Sequence, residues 1–206
     1  MTLPEFAGYV LAFIARLVTG AQGHWVGTPP KAEQRIYFAN HQSHFDWVLI
    51  WAALPRDLRG ATRPIAARDY WTSSPLRHWL TREVFNAVYV SRERSADEDP
   101  LEPLVEALRH GDSLVIFPEG TRGHAAEPAS FKSGLYALAQ AFPDVPLVPT
   151  WIDNVQRVMP KGEVVPVPVL CTVTFGAPIA LAAGEERRAF LDRARAAVVA
   201  LRREPR

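Results

Sequence analysis

Apolar residues along this chain fall into short blocks whose spacing changes from one block to the next. Phe6 to Ile14 is apolar apart from Gly8, is bracketed by Glu5 and Arg16, and predicts a first helix. Arg35–Ala39 predicts a short strand, and Phe45–Leu54 an apolar helix ended by Pro55. Pro64–Ala67 is a weaker strand. Pro75–Glu83 predicts a helix with proline in its first turn, followed by a strand over Val84–Val90. A helix over Pro100–His110 is closed by Gly111, and Ser113–Phe117 is the clearest strand, stopped by Pro118. The loop Pro118–Ser130 leads to a helix over Phe131–Phe142. Val145–Ile152 and Val167–Phe175 are two further strands, and Glu185–Arg203 is a closing helix.

Repeated strand-then-helix order predicts an α/β fold: a single domain with a mostly parallel or mixed central sheet flanked by helices, preceded by an N-terminal apolar or amphipathic helix. No internal repeat or low-complexity linker divides the chain, so the expected organisation is the helix over 1–20 and one domain over 21–206. The first apolar run is shorter than the roughly 17–25 residues a bilayer-spanning helix needs. It lacks the basic start of a secretory signal. Two readings stay open: the helix packs on the domain, or it lies in the membrane interface.

Composition narrows this picture. A chain of 206 residues suits one well-buried domain. A net charge of +1 argues against nucleic acid as a partner. The single cysteine, Cys171, excludes a disulfide within the chain and any multi-cysteine metal site; its apolar neighbours mark it as a core residue. No metal-ligand spacing appears elsewhere.

In open parallel sheets ligands bind beyond the carboxyl ends of strands. Two chemically rich segments fall at such ends, Asn40–Asp46 and Pro118–Arg122. On one continuous helix His41 and Asp46 would diverge by about 140°. If His41 instead leaves the strand just before the helix starts, Asp46 can turn back and orient its imidazole as a general base. Ser43 to Asp46 equally fits a capping box, with Ser43 as N-cap and Asp46 as its partner. In the second segment Gly120 permits a tight turn, and Arg122 offers a planar fork for phosphate or carboxylate. An ordinary turn with a solvated arginine reads as well.

Taken together, Asn-His-x-x-x-x-Asp and, some seventy residues on, Phe-Pro-Glu-Gly-Thr-Arg resemble the glycerolipid acyltransferases typified by 1-acylglycerol-3-phosphate acyltransferase. The resemblance runs from about Leu11 to Ile179. Asn86–Arg92 is similar to the family's second block, which ends in a phosphate-binding arginine, with Asn86 where relatives often carry glycine. Val148–Ile152, with Pro149, is similar to the fourth, and Phe131-Lys132-Ser133-Gly134 to the step that follows the Pro-Glu-Gly loop. Arg68-Asp69 replaces a common Lys-Glu pair, which leaves the acceptor headgroup less defined.

The resemblance implies an O-acyltransferase that moves a fatty acyl group from an acyl thioester, acyl-CoA or acyl carrier protein, to a lysophosphatidate-like acceptor in phospholipid biosynthesis. Other acceptors, namely glycerol 3-phosphate, another lysophospholipid or an acyl-amino-acid lipid, stay open, as does a non-catalytic lipid-binding relative. It assigns His41 and Asp46 to catalysis and Arg92, Glu119, Gly120, Thr121 and Arg122 to the acceptor phosphate and pocket. Asn40, Ser43, Arg68, Lys132 and Pro149 are secondary candidates, and backbone donors at the helix start are candidates for the oxyanion. It implies no metal and no cofactor, and a peripheral place on the cytoplasmic face of a membrane. A serine hydrolase using Ser43 or Ser133 is the rival chemistry, but no Gly-x-Ser-x-Gly elbow is present. His24, His44, His78, His110 and His124 have no partner pattern and read as surface or core positions. Trp47, Trp51, Trp71 and Trp79 suit an acyl channel, the membrane interface or the core.

Overall fold

The computed structural model describes residues 2–19, 22–43, 45–90, 99–123, 125, 127–153 and 171–202. In chain order they form α1 (Leu3–Thr19), β1 (Gln22–Trp25), β2 (Ile36–Ala39), α2 (Asp46–Ala53), α3 (Arg56–Arg59), β3 (Thr62–Ala67), α4 (Arg68–Trp71) and α5 (Pro75–Trp79). A π-helical turn (Leu80–Val84) follows, then β4 (Val88–Val90), α6 (Glu102–Arg109), β5 (Ser113–Ile116), α7 (Gly134–Ala141), β6 (Leu147–Asp153), β7 (Thr172–Phe175) and α8 (Arg187–Val199).

The strands make one sheet in the order β1-β7-β6-β2-β5-β3-β4. From β6 to β4 every neighbouring pair is parallel. β7 runs antiparallel to β6, and β1 parallel to β7, so the sheet is mixed. β2 is buried along its whole length because both faces are covered, which is why it reads as an unbroken apolar run. Ile36 and Phe38 pack with Leu104, Leu108, Leu135, Leu138 and Phe190 from α6, α7 and α8. Tyr37 and Ala39 pack on the other face with Trp47, Ile50 and Trp51 of α2 and Ala12 of α1.

α1 approaches closely through its small residues. A Cβ added to Gly8 would lie 3.4 Å from Val84 Cγ1 and 3.5 Å from the Trp51 ring.

The structure departs from the sequence pattern in several places, among them the unforeseen short helices α3 and α4. The strand expected over Val84–Val90 shrinks to Val88–Val90, because Leu80–Val84 close a π-helical turn and the Ala87 N–H donates to the Thr81 carbonyl at 2.8 Å. Asn86 makes the corner at φ +46°, a conformation asparagine tolerates. α7 starts at Gly134 rather than Phe131, since the Lys132 N–H is held by the Pro118 carbonyl at 2.9 Å and Phe131 fills the core. β1 has no strand-like composition. It forms by edge pairing with β7, where Trp25 stacks on Phe175 with centroids 4.2 Å apart.

Candidate active site

The carboxyl ends of β2 and β5 lie side by side, and the segments that follow them carry the candidate chemistry. Asn40 prolongs the β2–β6 ladder by one step. Its side-chain amide donates to the Ile152 carbonyl at 3.1 Å, and its oxygen accepts the Ile152 N–H at 2.9 Å. That clamp fixes the backbone from which His41 departs.

His41 precedes α2, and Asp46 is its first residue, so the chain folds back between them. Asp46 Oδ2 accepts from His41 Nδ1 at 2.8 Å, from the Gln42 N–H at 2.6 Å and from the Ser43 N–H at 2.9 Å. A carboxylate cannot donate, so Nδ1 carries the proton of this bond, and in the neutral imidazole the lone pair is then on Nε2. Asp46 is buried, and its Oδ1 has no hydrogen-bond partner among the described residues. The His41 side chain is 19% exposed, and its ring stacks on Phe117 at 4.2 Å and 15°. The imidazole plane is therefore set by an aromatic face and its tautomer by a carboxylate.

The capping box expected from Ser43 and Asp46 is half formed: Asp46 Oδ2 accepts the Ser43 N–H, but Ser43 Oγ does not reach the Asp46 N–H. The N-cap position falls at Phe45, without a side-chain cap bond, and Ser43 Oγ accepts the Phe45 N–H at 3.2 Å. Because the Gln42 and Ser43 N–H groups are both held by Asp46, neither is available to an oxyanion.

The second segment grips the first through main-chain bonds. Glu119 is 2% exposed. Its Oε1 accepts the His41 N–H at 2.7 Å and its Oε2 the Ala129 N–H at 2.7 Å. The Gly123 N–H donates to the His41 carbonyl at 2.8 Å, so the His41 peptide is held on both sides. Gly120 takes φ +69°, and a Cβ there would meet Lys132 Nζ at 2.6 Å. The positive φ is what favours glycine here; the end of the Lys132 side chain is flexible and can move aside. Thr121 and Arg122 are exposed, and the side chains of Arg122 and Lys132 make no ion pair among the described residues.

Other candidates sit elsewhere. Arg68 starts α4 and lines a groove of about 530 Å³ with Arg63, Tyr89, Glu106, His110 and Asp112; none of His41, Asp46, Glu119 or Arg122 lines it. Pro149 lies within β6 opposite Phe38, its carbonyl accepting from Gly176. Trp47 and Trp51 are core residues, packed edge-on against Phe85 at 4.5 and 4.9 Å. Cys171 is buried as expected; burial, and next the charge of Asp46, push its thiol up to about 12. Arg92, His44 and His124 lie outside the described residues. Phe117 entered the sequence reading only as the first residue of the Phe-Pro-Glu-Gly-Thr-Arg motif and was given no role in the site, and Gly123 escaped it altogether.

A histidine held by a buried carboxylate at the carboxyl end of the parallel part of the sheet, and joined to a Pro-Glu-Gly turn, defines a class. The acyltransferase family model matches residues 27–153, and the chain belongs to that family. Human 1-acyl-sn-glycerol-3-phosphate acyltransferase alpha is 32% identical over 139 residues, covering 65% of this chain and 46% of its own. A chloroplastic 1-acyl-sn-glycerol-3-phosphate acyltransferase of Arabidopsis thaliana is 28% identical over 135 residues, 66% of this chain and 36% of its own. The chain thus spans less than half the length of these curated relatives. The crystal structure of the 1-acyl-sn-glycerophosphate (LPA) acyltransferase PlsC from Thermotoga maritima has the same fold. It aligns with a TM-score of 0.70 and 21% identity over 96% of this chain and 79% of that one.

Proposed function

We propose that this protein is an O-acyltransferase that moves a fatty acyl group from an acyl thioester to the free hydroxyl of a lysophosphatidate-like glycerolipid, in phospholipid biosynthesis. One observation carries the reading: His41 Nδ1 is held at 2.8 Å by a buried carboxylate while Nε2, the basic nitrogen, has no hydrogen-bond partner among the described residues. Nε2 takes the acceptor hydroxyl proton as the oxygen bonds to the thioester carbonyl carbon. Collapse of the tetrahedral adduct expels the thiolate, which regains that proton from the imidazolium. Asp46 keeps the tautomer and stabilises the transient charge. The products are an ester and a free thiol, from acyl-CoA or acyl carrier protein.

Arg122 and Lys132 suit the acceptor phosphate, being cationic, exposed and without an ion pair among the described residues, beside the Gly120 turn. Arg92 is proposed for the same role from its motif alone. Glu119 acts differently: both oxygens hold backbone N–H groups, so it is a positioning residue for His41 rather than a phosphate contact.

No helix among the described residues is long and apolar enough to cross a membrane. α1 nevertheless presents Leu3, Phe6, Val10, Phe13, Ile14 and Leu17 to solvent, and Phe45 beside the catalytic pair is also exposed. These surfaces fit a peripheral enzyme with α1 in the lipid interface; its place on the cytoplasmic face is proposed from the resemblance alone.

The test is turnover of lysophosphatidate with acyl thioesters. His41→Ala and Asp46→Asn are expected to lose on the order of 10²–10⁴-fold in kcat while staying folded. Near-normal turnover in a folded His41→Ala protein ends the proposal. With a mixed pool of lysophospholipids and glycerol 3-phosphate, mass spectrometry is expected to find phosphatidate first; preferential loss of another acceptor reassigns the substrate.

A further inference from the structure

Away from the catalytic pair, three arginines come together without a carboxylate. Arg16 of α1 donates Nε to the Ala52 carbonyl at 2.8 Å and Nη2 to the Leu54 carbonyl at 3.4 Å, at the C-terminal end of α2. The Arg56 guanidinium lies 4.8 Å over the Tyr9 ring, and that of Arg59 lies 5.4 Å over the Trp51 ring. Two buried polar atoms here, Tyr9 Oη and Arg59 Nε, have no hydrogen-bond partner among the described residues. Asp57 sits between two of the arginines in sequence, yet no ion pair joins a carboxylate to Arg16, Arg56 or Arg59 among the described residues. Burial, and after it the neighbouring charge of Arg16, lowers the proton affinity of Arg59. A bound anion would relieve that repulsion and supply the missing acceptor.

The position says which anion. Tyr9 and Arg16 are seven residues apart and so share one side of α1. That side borders the exposed stripe of Phe6, Val10, Phe13 and Leu17. A helix lying in a bilayer interface keeps its apolar stripe at the acyl boundary and its basic border at the level of the phosphates. The acceptor site belongs to the opposite end of α2, about 12 Å away along the helix axis.

We propose that Arg16, Arg56 and Arg59, with Tyr9, form a binding site for the phosphate of an anionic phospholipid headgroup, beside the face of α1 that enters the bilayer. This rests on the membrane-interface reading of α1 given above. The site makes the protein prefer anionic membranes without touching the reacting lipid.

Sedimentation with vesicles of phosphatidylcholine, alone or mixed with phosphatidylglycerol, tests it. The wild type is expected to bind mixed vesicles at least about tenfold more tightly. Arg56→Gln/Arg59→Gln should lose most of that preference and keep both its binding to neutral vesicles and its turnover of detergent-dispersed substrate. Arg56→Gln alone, at an exposed side chain, serves if the double variant misfolds and is expected to lose part of the preference. The charge-matched control Arg109→Gln/Arg188→Gln should keep the preference. A preference that survives in the cluster variants, or falls equally in the control, overturns the site. Inorganic phosphate that raises the melting temperature of the wild type but not of the cluster variants, with no wild-type preference for mixed vesicles, would make this a site for a free anion instead. Equal binding of the wild type to both vesicles removes this site but leaves the membrane reading of α1. Binding to neither removes both.

Discussion

Asp46 answers two questions with one oxygen. Its place in the sequence fits either a helix-start carboxylate or the orienting partner of His41. Oδ2 takes the N–H groups of the turn and His41 Nδ1 together. The turn needs the carboxylate, and the carboxylate in that turn holds the imidazole. Glu119 was the residue whose chemistry the sequence concealed, because a carboxylate in a Pro-Glu-Gly turn looks like a pocket group. Only the folded loop shows both its oxygens on the peptides of His41 and Ala129. In Glu119→Gln one of these N–H groups faces an amide NH₂, and a buried donor left unpaired costs about 1–3 kcal/mol. The expected outcome is a stability loss of that order and a kcat about 10²-fold lower, with the acceptor KM nearly unchanged. A large rise in KM with kcat preserved would return Glu119 to the acceptor pocket.

Among elements, α1 shows how periodicity can leave two readings open when both are present on different faces. Gly8 and Ala12 pack against the domain, and Leu3, Phe6, Val10, Phe13, Ile14 and Leu17 remain outside. An apolar run does not say which of its residues a neighbour covers. Phe6→Asp/Phe13→Asp removes apolar surface only from the exposed face. It should weaken binding to neutral vesicles at least tenfold while leaving the melting temperature within a few degrees. Unchanged vesicle binding would take α1 out of the membrane interface. The segment Val84–Val90 illustrates the opposite failure. Its β-branched residues look uniformly strand-like, and the break at Asn86 depends on a backbone corner closed by Thr81, five residues back.

For the whole molecule, the two-faced burial of the sheet determines its response to base. Tyr37 of β2 is pushed up to about 12, mainly by burial, and Cys171 likewise from its ordinary value of 9.0. A group whose folded pKa is raised contributes fully below its unfolded pKa, and that stability is lost as pH climbs towards the folded value. Each unit of separation is worth about 1.4 kcal/mol. Denaturation midpoints should therefore hold to pH 9, fall from 9 to 10 through Cys171, and fall more steeply above 10 as Tyr37 joins. Cys171→Ala should flatten the first step. Constant stability from pH 8 to 11 would contradict the burial of both groups. At this scale the sequence by itself determined the α/β class, the strand-end placement of both motifs, and the candidates His41 and Asp46. The first two follow from local periodicity; His41 and Asp46 are singled out by the resemblance of two motifs some seventy residues apart, since a helix cap explains the spacing of Asp46 as well. Only the tertiary structure decided that Glu119 serves the His41 backbone, that Arg68 lines another groove, and that Arg16 meets Arg56 and Arg59. Each depends on segments far apart in sequence, whose meeting is fixed by how the helices cover the sheet rather than by any local pattern.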